Sequence, residues 1–129
     1  MTLDSIDGLF SVCKLEKISS ALPDTDFIFF ARTDSELSLV CPTDSVPDGV
    51  LRREDGWRAL RVRGELDFSL VGILADITSV LARRGISIFA VSTYDTDYIL
   101  MKENNFADAI SALGESGYTV EDNKGVLTE

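Results

Sequence analysis

The sequence contains no histidine. That removes the commonest general base and the commonest zinc ligand, and with them serine–histidine and cysteine–histidine hydrolase chemistry. Basic residues are scarce: 12 Lys and Arg stand against 22 Asp and Glu, a formal net charge of −10 over 129 residues. So acidic a chain gains little from counterion release on a phosphate backbone or from an anionic bilayer face. Neither nucleic acid nor membrane is expected as a partner. Long apolar runs are missing as well. The longest, Phe27 to Ala31, is of strand length and far short of the roughly 20 residues a spanning helix needs. The N-terminal stretch Met1 to Val12 carries Asp4 and Asp7 and no basic residue, so it does not read as a signal peptide, and a cytoplasmic location is expected. Only two cysteines are present, Cys13 and Cys41, each inside an apolar run and without CxxC spacing. They are expected to be reduced, buried thiols rather than metal ligands or a redox pair.

What is present is an ordinary globular mixture, 45% hydrophobic and 26% charged, enough for one cooperative body. Leu9 to Leu15 alternates apolar and polar residues and predicts a strand. Phe27 to Thr33 is a second strand, rich in β-forming aromatics, and Glu36 to Cys41 returns from a turn at Asp34-Ser35. Pro42, Pro47, Gly49 and Gly56 break the next stretch and set a boundary near residue 55. Beyond it, Trp57 to Arg63 is a strand. Leu70, Ile73, Leu74, Ile77 and Leu81 then recur at helical spacing, with Asp67 or Ser69 as N-cap and Gly85 as stop, which predicts a helix of about 16 residues. Ile86 to Thr93 and Asp97 to Glu103 form a hairpin. Asn104 or Asn105 caps a second helix through Phe106, Ala109, Ile110 and Leu113, and Tyr118 to Glu121 is a last strand. The order β-α-β-β-α-β predicts an α+β ferredoxin-like sandwich, a four-stranded antiparallel sheet with helices on one face. Ile86 to Thr93 is apolar on both faces, so a domain or subunit interface is expected over it.

The two hairpins resemble one another. FIFFARTDSELSLVC (Phe27 to Cys41) and SIFAVSTYDTDYILM (Ser87 to Met101) each run from an apolar strand through Thr33 or Thr93 into a short turn and a second apolar strand, the second copy with one more residue in its turn. The pattern reads as a tandem duplication: residues 1–55 an eroded first copy, 56–122 a complete second copy, and 123–129 a frayed tail. Similar turn chemistry arrived at independently is the other reading. Two Asp-Thr-Asp triplets, Asp24–Asp26 and Asp95–Asp97, raise the question of a cation. Neither is followed by a glycine-bearing calcium loop, and no metal is expected. The one basic cluster, Arg52, Arg53, Arg58, Arg61 and Arg63, places Arg61 and Arg63 on one strand face and is expected to pair with carboxylates.

At ELDFSLVGILADIT and GISIFAVSTYDTDYILM, with TDSELSLVCP earlier in the chain, the sequence resembles the ACT domain. It is most similar to the small tandem-ACT proteins of bacteria and to the ACT repeats of the eukaryotic cytosolic arginine sensors. The resemblance implies a regulatory module without catalytic residues or cofactor. Such a module binds an amino-acid effector at an inter-domain or inter-subunit interface, forms a homodimer and acts on a separate regulated protein. The alternative is a protein–protein assembly module that retains no ligand site.

Carried over by position, the resemblance implies ligand contacts from Asp67, Phe68, Ser69 and Gly72 at the start of the long helix and from Thr93, Tyr94 and Asp97 in the second hairpin. The chemistry agrees. A helix start offers free N–H groups to a carboxylate, Asp97 offers a partner to an ammonium, and Tyr94 or Phe68 can pack on a stem or guanidinium. Each residue also has a purely structural reading: Asp67 and Ser69 as caps, Phe68 as a staple, Gly72 in helix packing, Thr93 and Asp97 in turn chemistry.

Overall fold

The computed structural model describes residues 1–16, 22–64 and 72–122. Its elements run β1 (Thr2–Leu15), β2 (Phe29–Arg32), β3 (Leu37–Pro42), a 3₁₀ turn (Thr43–Ser45), β4 (Val50–Val62), α1 (Ile73–Arg83), β5 (Phe89–Ser92), β6 (Asp97–Lys102), a second 3₁₀ turn (Glu103–Asn105), α2 (Phe106–Glu115) and β7 (Thr119–Asp122). The chain divides into two compact units. One comprises Met1–Asp7 with Arg58–Glu129, the other Gly8–Trp57. β1 and β4 therefore each lend one end to each unit. Where they pass from one to the other, each carries a glycine at positive φ, Gly8 at 91° and Gly56 at 86°. A side chain with a Cβ is disfavoured there, whereas glycine enters this region freely.

In the larger unit the strands lie in the order β7-β1-β4-β6-β5. The elements from β4 onward follow the expected β-α-β-β-α-β order. The sheet corrects the expectation in one respect. The last strand pairs in parallel with the start of β1, Thr2 opposite Thr119 through Ser5 opposite Asp122, and β1 takes the place beside β4. The sheet of this unit thus has five strands and one parallel pair instead of four antiparallel strands. A strand beginning at Thr2 is not legible in the alternation, which becomes regular only from Leu9.

Alternate residues of this sheet face the helices. Leu3, Leu60, Val62, Ile99 and Met101 pack on Ile77, Val80 and Leu81 of α1 and on Phe106, Ala109, Ala112 and Leu113 of α2. α1 is shorter than its sequence pattern predicts, 11 residues from Ile73, with Gly72 as its N-cap. It ends at a Schellman motif: Gly85 N–H bonds to the Ala82 carbonyl (2.9 Å) and Ile86 N–H to that of Leu81 (3.1 Å), while Ile86 and Leu81 meet in the core. That motif draws Ile86 into the core and delays β5 to Phe89. The expected eight-residue strand with two apolar faces is therefore a four-residue strand. Phe89 and Val91 are half-buried, and Ala90 and Ser92 are exposed.

In the smaller unit the strand order is β2-β3-β1-β4. β3 pairs with β1 from Phe10 opposite Pro42 to Leu15 opposite Leu37. The expected strand start at Phe27 is displaced because Phe27 adopts φ 65°, its ring edge-on to Phe10 at 6.2 Å. Cys13, Leu15, Leu39 and Cys41 form the core, joined by Ile28, Phe30, Leu37, Val46 and Val50. Cys13 and Cys41 are free and buried. They are diagonal neighbours across β1 and β3, since Cys41 lies opposite Ser11 and Cys13 opposite Leu39.

Burial raises both thiols. Cys13 moves up from 9.0, chiefly by desolvation. Cys41 is pushed up to about 11 by desolvation and by Cys13 beside it. The folded state thus holds protons that the unfolded chain releases. Stability is fully present below pH 9 and falls as pH rises towards 11. Urea unfolding across this range should show that decline, and a Cys13→Ala, Cys41→Ala double variant should show a shallower one. In the larger unit, Leu113→Ala, at a fully buried position, should lower stability by about 2–5 kcal/mol.

Candidate functional site

On the larger sheet, alternation points Leu60 and Val62 towards the helices, so Arg61 and Arg63 project from the opposite face. On the same face of β1 stands Asp4, a carboxylate only 4% exposed. Buried without partners, such a charge would destabilise the fold by several kcal/mol. It has two partners. Arg63 Nη2 lies 2.6 Å and Nε 2.8 Å from Asp4 Oδ1, and Arg61 Nη2 donates to Oδ2 at 3.3 Å. Arg63 also reaches Glu121 Oε1 on β7 at 2.9 Å. The hydrogen bonds it donates, to Asp4 first and Glu121 second, raise the Arg63 pKa above its ordinary value, which keeps the guanidinium charged throughout. The Arg61 guanidinium lies 6.0 Å from the centre of the Tyr98 ring, within cation–π range.

Beside these arginines runs the turn between β5 and β6, which is closed by Thr93. Its N–H donates to the Thr96 carbonyl (2.8 Å) and its hydroxyl to the same oxygen (3.1 Å). The Thr96 hydroxyl, buried, donates to the Val62 carbonyl at 2.7 Å and so ties the turn to the end of β4. Asp4, Arg61, Arg63 and Gly64 on one side and Thr93, Asp95, Thr96 and Tyr98 on the other line an open cavity of about 380 Å³. That is within the range of small-molecule sites.

Of the residues predicted for ligand contact, Thr93 lines this cavity. Tyr94, on the same turn, is 82% exposed. Asp97 opens β6 and accepts a 2.6 Å hydrogen bond from Ser92. Gly72 is exposed at the N-cap of α1, φ 86°. Asp67, Phe68 and Ser69 lie outside the described residues. Asp4, Asp95, Thr96 and Tyr98 were missed as a group. The shared face of Arg61 and Arg63 was legible from their spacing, but their carboxylate partner lies at the far end of the sequence, and only the strand pairing brings it there.

The turn between β2 and β3 follows the same plan. Thr33 N–H donates to the Glu36 carbonyl (3.0 Å). The two hairpins keep a constant offset of 60 residues: Phe29–Arg32 and Phe89–Ser92, Leu37–Pro42 and Asp97–Lys102, then the 3₁₀ turns at Thr43–Ser45 and Glu103–Asn105. Arg32 pairs with Leu37 and Ser92 with Asp97. The turns are therefore equal in length, and the extra residue expected in the second copy is not there. Glu36 corresponds to Thr96, and Leu37 to Asp97.

The family model of the ACT domain matches residues 52–115. The chain belongs to the ACT-domain family. Among curated proteins, this ACT-domain protein is similar to the human "cytosolic arginine sensor for mTORC1 subunit 1", at 31% identity over 84% of the chain. It spans about a third (36%) of that relative's length. Among solved structures it is similar to protein Atu0741 of Agobacterium tumefaciens, with a TM-score of 0.84 at 31% identity over 95% of this chain and 93% of the other. The regulatory subunit of aspartate kinase from Thermus thermophilus shares the fold at a TM-score of 0.58 and 10% identity, over 89% and 94% of the two chains. Among the described residues, no helix is long and apolar enough to cross a membrane.

Asp4→Ala should lower stability by about 1–3 kcal/mol, because two partly exposed arginines lose a charge-assisted acceptor and fall back on water. Asp4→Asn should recover part of the loss. Chemical unfolding of the three proteins side by side measures both effects.

Proposed function

We propose that this ACT-domain protein is a non-catalytic regulatory module that binds a small effector, an amino acid, and acts on a separate protein. The observation that carries this reading is the cavity at the turn between β5 and β6. It sets guanidinium groups (Arg61, Arg63) and an exposed carboxylate (Asp95) around one small space, complementary to the two charges of a zwitterion. Catalysis has less to stand on: the threonine hydroxyls at the cavity both donate to backbone carbonyls, and the chain has no histidine to activate a nucleophile. In this reading Gly72, Thr93, Tyr94 and Asp97, with Asp67, Phe68 and Ser69, form the ligand-approaching rim. The name of the human relative and the carboxylates Asp95 and Asp97 together support arginine as the first effector to try.

We read the chain as two ACT-like halves, 1–55 and 56–122, with its first strand lent to the sheet of the second half. The constant offset of the two hairpins supports a tandem origin. A homodimer in the cytoplasm is the expected working form. One observation favours the assembly reading instead: Asp4 and Glu121 already neutralise Arg61 and Arg63, so the cavity can be held together without a ligand.

Thermal shift against each of the twenty amino acids separates the two readings. Effector binding predicts stabilisation by one or a few of them, about 2.7 kcal/mol at a hundredfold excess over Kd. It also predicts that Asp95→Ala weakens binding about tenfold or more through loss of a charge-assisted contact. A tight dimer that responds to none of the twenty leaves the assembly reading.

A further inference from the structure

The smaller unit has a cavity at the corresponding place. Beside the turn between β2 and β3, and against the end of β1, lies a cavity of about 550 Å³. The correspondence is residue by residue. Thr33 and Thr93 close their turns through the same backbone bond, to Glu36 and Thr96. Ser35 and Asp95 line the two cavities from the third turn position. A cation of the central strand reaches each hairpin at matching positions: Lys14 lies opposite Ser38, and Arg61 is held over Tyr98, 60 residues after Ser38.

The charges are arranged differently. In the larger unit both arginines are engaged by carboxylates of the fold. In the smaller unit Lys14, Glu16, Arg32 and Glu36 all line the cavity, all are exposed, and none makes an ion pair with another described residue. Two cations and two carboxylates thus line one open space, without an ion pair to any other described residue. Leu51, 55% exposed, adds an apolar wall. Lys14 and Glu36 also border an adjoining cavity of about 520 Å³, which leaves room for a side chain beyond the charged groups.

We propose that the Gly8–Trp57 unit carries a second effector site, for an α-amino acid, with Lys14 and Arg32 receiving the carboxylate and Glu36 the ammonium. The site is independent of the one proposed at Thr93–Thr96, and its charge set selects a different amino acid or a different affinity. A neutral or singly charged metabolite leaves half of these groups without a counter-charge, whereas a zwitterion matches them.

Titration of ¹⁵N-labelled full-length protein with each of the twenty amino acids, followed by amide shifts, tests this directly. At least one amino acid should move the amides of 14–16 and 33–37 in a saturable way. A Lys14→Gln, Glu36→Gln double variant should weaken that response at least tenfold while its remaining spectrum stays dispersed as in the parent. Amides 61–64 and 93–96 report separately on the other cavity. Shifts confined to that second set overturn this proposal and leave the effector reading standing. Shifts confined to the first set sustain this proposal and count against the other cavity. Shifts at 14–16 and 33–37 that persist unchanged in the double variant also overturn it, as does a response to none of the twenty.

Discussion

A carboxylate taken out of water must be paired, and Asp4 is the place where this requirement organises the molecule. It sits on the first strand and meets two guanidinium groups at the end of β4, Arg61 within the strand and Arg63 just beyond it. One of these, Arg63, continues to Glu121 on the last strand. Three strands from the start, the middle and the end of the sequence are thereby held in one register by groups that cannot tolerate separation. The hydrophobic effect would accept many arrangements of Leu3, Leu60 and Val62 against the helices. A one-residue slip of β1 would carry Asp4 into that apolar layer and leave two arginines unmatched on the other face. The polar face thus specifies what the apolar face only stabilises.

The same alternation prepares a surface for recognition. Residues facing the helices build the core, so those between them are free to carry charge. At the hairpin turn they converge with hydroxyls and carboxylates fixed by backbone hydrogen bonds. Thr93 and Thr96 rigidify the turn and hold Asp95 at its edge. Among the described residues the smaller unit repeats the turn but not the neutralising network, so one structural plan offers two electrostatic environments. If both cavities bind effectors as proposed, that difference is what separates their selectivities.

Several features were open to reading from the chain alone. The helix around Ile73, Leu74, Ile77 and Leu81 has an unmistakable period, and Gly85 stops it where expected. Its start lies three residues later than the spacing predicts: Leu70 fits the apolar period, but the helix begins only after Gly72. β5 is shorter than its apolar residues predict: Ile86 and Ile88 have strand character, but a Schellman motif takes Ile86 into the core. Thr93 was singled out and lines the cavity. Asp4 was not, because a lone aspartate near an N-terminus carries no local signal of burial.

Composition and periodicity alone determined that the chain is acidic, α+β in its second half, without the histidine that much hydrolytic chemistry needs, and built around two similar hairpins. Those properties are local: they depend on residue type and on spacing within a turn or a strand. The tertiary structure decided which strand lies beside which, that Thr2–Ser5 pair with Thr119–Asp122, and hence that Asp4, Arg61, Arg63 and the turn at Thr93 share one site. Contacts between residues a hundred positions apart depend on the free energy of the whole packed sheet. No window of sequence short enough to show a period contains that information.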